Sequence, residues 1–67
     1  MLITVTAGSD TPYRTTWAAF VGANRDALAD YANPSAWERG TREALRAGRA
    51  VAMGGGAAPL VIIERAI

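Results

Sequence analysis

WAAFVGANRDALADY, residues 17–31, is the stretch whose reading decides the fold. Trp17, Phe20, Val21, Asn24, Leu28 and Tyr31 recur there at three- and four-residue steps. Turned through about 100° per residue, they collect on one side, while Arg25, Asp26 and Asp30 collect on the other. This is an amphipathic helix, and Thr15 or Thr16 has the hydroxyl to cap its first turn. A helix with one apolar side has to lie on a second layer, so the flanking segments must supply one.

Downstream, Asn33-Pro34-Ser35 breaks the pattern and starts a second helix. Proline suits a first helical position, asparagine or serine can cap it, and Ser35 to Glu38 has capping-box spacing. That helix should run to about Ala47, where Gly48 can take the left-handed conformation that ends it. Its inner face reads as Trp37, Gly40, Ala44 and Ala47, with Leu45 nearer the edge.

On either side of the helices the period changes to two. Leu2 to Ala7 sets Ile3 and Val5 against Thr4 and Thr6, a strand pattern rich in β-branched residues. Gly8-Ser9-Asp10 reads as a turn. Thr11 to Thr15 reads as a short strand folded back on the first, at the sheet edge because Pro12 has no amide to donate. Arg49 to Met53 alternates again, Gly54 to Pro59 is a loop, and Leu60 to Ala66 is the last strand, placed centrally. The expected architecture is α+β, a single compact domain over residues 1–67 in two layers. It has a three- to four-stranded antiparallel sheet with two helices on one face, in the order β-(β)-α-α-β-β.

A chain of 67 residues has room for one core. Apolar residues make up 51% of it, enough to fold, but fifteen of them are alanines that bury little area. Such a core is thin, and self-association or a partner would support it in place of a disulfide or metal. The chain holds no cysteine, histidine or lysine. Thiolate nucleophiles, imidazole bases, Schiff-base lysines and the usual zinc ligands are thereby excluded. Asp26 and Asp30, two acids alone, make a poor metal site and a poor hydrolytic pair. No catalytic residue, cofactor or metal is expected, and binding is the expected mode of action. The net charge of +1 requires no polyanion. Nothing resembles a signal peptide, and the apolar runs Leu60–Ile63 and Trp17–Ala23 are too short to span a bilayer. The expected location is cytoplasmic, with no membrane partner.

Three groups of residues are candidates for contact. Arg39, Arg42, Arg46 and Arg49 are spaced at three, four and three residues, on one stripe opposite Trp37 and Ala44. Guanidiniums so arranged suit carboxylates or phosphates. Glu38–Arg42 and Arg39–Glu43 are also i,i+4 pairs, as on a solvated helix face. Asp26 and Asp30, one turn apart near a helix end, disfavour each other there; these arginines are the nearest compensation, and a surface aimed at a basic partner is the alternative.

The second group lies in the last strand, where Leu60 to Ile63 is apolar on both faces. If Val61 and Ile63 join Ile3, Val5, Val51 and Met53 under the helices, Leu60 and Ile62 point the other way. Their neighbours there are Thr4, Thr6, Ala50 and Ala52. Strands apolar on both faces are expected where both are covered, so a second copy or another protein is expected on this side. The alternative is an exposed patch of ordinary size. The third group, Gly54, Gly55 and Gly56, lacks the lysine, hydroxyl and following helix of a phosphate loop. It reads as a hairpin turn whose backbone could touch a partner. Tyr13, Trp17, Tyr31 and Trp37 read as core or core edge, and Asn24 as bonded to a neighbouring backbone group.

In length, in its alanine- and glycine-rich use of arginine without lysine, and in compact α+β layout, the chain resembles small accessory proteins of bacteriophages and mobile elements. Anti-CRISPR inhibitors are among them. The resemblance implies action in the bacterial host cytoplasm, by occupying a protein or nucleic-acid site of a host complex without turnover. The residues themselves lead to a non-enzymatic protein-binding module that works through the arginine stripe or the open sheet face. A small nucleic-acid-binding protein using the four arginines and a phage structural subunit are the alternatives.

Overall fold

In the computed structural model, which describes residues 1–56 and 58–67, two hairpins flank a helical segment and merge into one sheet. β1 (Leu2–Ala7) and β2 (Tyr13–Thr16) form the first hairpin, and β3 (Val51–Gly55) and β4 (Ala58–Arg65) the second. Between them come α1 (Trp17–Ala23), α2 (Arg25–Ala29) and α3 (Pro34–Arg46). The sheet is antiparallel throughout, in the order β2-β1-β4-β3. β4 is therefore an inner strand, as its continuous apolar run requires. The helical segment leaves one edge strand and returns at the other. It must cross three strand spacings, about 14 Å, and in doing so it covers one face.

The core lies in that layer. Ile3, Val5 and Ile63 from the sheet are buried with Trp17, Phe20, Val21, Leu28 and Leu45 from the helices. Register sets Val5, Ile63 and Val51 side by side across three strands. Trp17 stacks on Phe20 and on Trp37, each at 6.1 Å between centroids, and Tyr31 meets Trp37 edge-on at 5.4 Å. This aromatic chain ties α1 to α3. Tyr13, by contrast, is 52% exposed, at the start of the edge strand β2, and does not join the core.

No linker separates β2 from α1. Thr16 pairs with Leu2 as the last residue of β2, and its Oγ1 accepts from the Ala19 amide at 3.1 Å as the cap of α1. The helix that follows is not continuous to Tyr31. At Asn24 both the backbone N–H and the side-chain amide donate to the Phe20 carbonyl, at 3.1 and 2.8 Å. α1 ends on that shared acceptor, and α2 starts one residue later. The polar residue in the apolar row thus bonds neighbouring backbone, at the cost of a break. The break also changes the setting of Asp26, which lies in the first turn of α2, where the positive end of a helix favours a carboxylate.

α3 opens on Asn33, whose Oδ1 accepts from the Ala36 amide at 3.1 Å, with Pro34 as the first helical residue. Ser35 lies inside the helix, so no Ser35–Glu38 capping box forms. The side turned to the core is Thr41 and Leu45, flanked by half-buried Trp37 and Ala44, while Gly40 and Ala47 are exposed. The expected inner face was thus turned too far: the i,i+4 row Trp37–Thr41–Leu45 packs inward through the threonine. At the far end Gly48 takes φ +84°, its amide donates to Leu45 O at 3.0 Å, and the Arg49 amide donates to Ala44 O at 2.9 Å. That pair of bonds is a Schellman motif and terminates the helix.

The second hairpin is longer than its composition implies. β3 runs through Gly55 and β4 starts at Ala58, with a register shift between Gly54 and Gly55. Gly54 has φ +81°, and a Cβ there would collide with the Pro59 carbonyl oxygen. At Gly56, φ +60°, a Cβ would meet open space. Urea unfolding should therefore show Gly54→Ala losing more stability than Gly56→Ala, for which the left-handed conformation alone costs about 1–2 kcal/mol. Leu45→Ala should lose about 2–5 kcal/mol, because Leu45 is fully buried.

Candidate functional site

α3 carries Arg39, Arg42 and Arg46, all exposed: Arg39 and Arg46 lie on the side away from Thr41, and Arg42 lies on the flank between them and the row of Leu45. Arg49 does not extend this row. The helix ends at Arg46, and the left-handed turn at Gly48 carries the chain off its axis, so the spacing that placed Arg49 on the stripe no longer applies. Arg65 takes part instead. Its Nη1 donates to the Arg46 carbonyl at 2.7 Å, setting a cation on a carbonyl at the negative end of α3. The signal for it was present in the alternation of β4, where Arg65 shares the helix-facing parity of Ile63.

Arg39 and Arg42 border a shallow pocket of about 270 Å³ with Trp17, Ser35 and Glu38. Glu38 also lines an apolar groove of about 190 Å³ between α2 and the start of α3, with Val21, Leu28 and Pro34, and Arg25 is there too. Positive charge on α3 is therefore punctuated by carboxylates rather than continuous.

On the far side of the molecule no helix among the described residues covers the sheet. Ile62 is half-buried between its neighbours Thr6 and Ala52, and Leu60 is 49% exposed beside Gly54. Thr4 lies on the same face, whereas Ala50 precedes β3. Register adds two charges that spacing in the chain does not connect: Arg14 pairs with Thr4 from one side and Glu64 from the other. Of the three glycines, Gly54 and Gly55 belong to β3 and Gly56 to its tip. The bulge accounts for Gly54.

Among the described residues no three acidic, histidine or cysteine side chains gather as a metal site. No helix among them is long and apolar enough to cross a membrane. Replacing Arg65 by Met keeps the stem and removes the cation, and should cost about 0.5–1 kcal/mol given its solvent exposure. Amide exchange should then quicken at Gly48 and Arg49 before it does in β1. Set against family models, curated proteins and solved structures, the chain matches none of them.

Proposed function

We propose that the chain is a non-enzymatic protein-binding module that docks on an acidic surface of its partner through Arg39, Arg42 and Arg46. The observation that supports this reading is that three exposed guanidiniums share one side of a helix fixed at both ends. Asn33 caps its start, and Gly48 and Arg65 hold its finish. Forked guanidiniums match carboxylates in pairs, and with the helix backbone already fixed only the arginine side chains remain to be ordered on binding. The pocket beside Trp17 offers a place for one partner side chain. Glu38 and Glu43 on the same helix, with a net charge of only +1, set carboxylates along the path a phosphate backbone would follow. Protein therefore fits better than nucleic acid. The role that agrees with the likeness to phage accessory proteins is blockade of a host complex in the bacterial cytoplasm, without turnover.

A tagged full-length chain, exposed to nuclease-treated bacterial lysate, should retain a discrete protein. The triple variant Arg39→Glu, Arg42→Glu, Arg46→Glu should lose it, and the triple lysine variant should hold it more weakly. Capture indifferent to the reversal would overturn the reading. So would binding to mixed-sequence DNA or RNA with a log–log salt slope near about −2.7, from about 0.9 per phosphate contact.

A further inference from the structure

We propose that two copies of this chain pack through the uncovered faces of their sheets, about a two-fold axis that runs along the strands between β1 and β4. This surface lies on the side away from the α3 arginines, so the inference is independent of the function proposed above.

The pairing of the two central strands makes this face complementary to itself. Across β1 and β4 each row of the open face sets one large side chain beside one small residue. Thr6 pairs with Ile62, Gly8 donates its amide to Leu60, and Ala66 donates its amide to Leu2. A two-fold axis between these strands lays β4 of one copy over β1 of the other. Ile62 then comes to rest over Thr6, Leu60 over Gly8 and Leu2 over Ala66, large against small in every row. Facing sheets lie about 10 Å apart, the depth that such interdigitation fills.

Charge follows the same symmetry. Arg14, Thr4 and Glu64 form one row. Under the axis Glu64 of one copy lies over Thr4 of the other, one strand spacing (about 4.8 Å) to the side of Arg14. The long arginine reaches it, and symmetry makes the pair twice. A foreign protein would have to match this arrangement by chance, whereas a second copy carries the match already.

The edges of the sheet favour the face as the meeting place. β2 has only four residues, with Pro12 just ahead of it, and β3 is interrupted by the register shift at Gly54 and Gly55. Both are poor templates for strand addition. Four strands by four rows give a footprint of about 400 Å² per copy, half of the roughly 800 Å² typical of a stable interface. The dimer is accordingly weak and concentration-dependent.

Sedimentation velocity of the full chain, from about 10 μM to about 1 mM, should show reversible monomer–dimer exchange. Ile62→Glu should leave only monomer. Arg14→Glu or Glu64→Arg alone should each weaken dimerisation about five- to tenfold, since each change places like charges together twice. The double exchange Arg14→Glu with Glu64→Arg should restore it. Circular dichroism and amide spectra check that each variant is folded, and if Ile62→Glu is not, the charge exchange alone decides the matter. Monomer throughout the range, a dimer unmoved by folded Ile62→Glu, or a double exchange that fails to restore association would each overturn the proposal.

Discussion

Ile63 occupies the middle of the molecule, flanked in register by Val5 and Val51 and wholly excluded from solvent. The rest of the structure is arranged to keep it so. Two inner strands bring the row together, and the helical segment must travel from edge to edge to roof it. Among the described residues only eight apolar side chains are buried, and four of them are fully so. A core this small tolerates little waste, which is why Trp17, Phe20 and Trp37 stack into a continuous ring chain instead of packing separately. It also fixes what is left over. A segment of this length can cover one face of a four-stranded sheet, and the second face stays bare.

The two surfaces that remain differ in kind. The α3 arginines stand on an element held at both termini, so their positions are set by backbone geometry and not by mutual attraction. The bare sheet face is flat, with Leu60 and Ile62 rising from threonine, alanine and glycine, and Arg14 and Glu64 set apart by Thr4. One surface offers directional charge and the other offers shape. They point away from each other, so occupation of either leaves the other free.

Periodicity in the chain was sufficient for the architecture. β-branched alternation located β1, the doubly apolar run located β4 as an inner strand, and Pro12 placed β2 at the edge. Where the structure departs from the period, a local hydrogen bond or a tertiary choice overrides the pattern. Asn24 sat in the apolar row but took two donors to one carbonyl and broke the helix. Thr41 looked polar, yet its row and not that of Gly40 and Ala47 turned inward. Arg49 kept helical spacing past a glycine that ended the helix. Glycine content marked a loop where β3 in fact continues through a bulge, because pairing with β4 outweighs the flexibility of the residues. The candidate surfaces were legible to the same degree. Exposure on α3 and the outward parity of Leu60 and Ile62 follow from period alone. The roles of Arg14, Glu64 and Arg65 need the register, which no spacing within the chain discloses.

Thr16 closes a strand and caps a helix at once, and the next amide, that of Trp17, donates to the Met1 carbonyl at 2.9 Å. There is consequently no hinge between β2 and α1. Fraying of β2 would uncap α1, and loosening of α1 would pull the edge strand from its neighbour. The molecule should thus melt in a single cooperative step, with no half-folded species in which the sheet survives its roof.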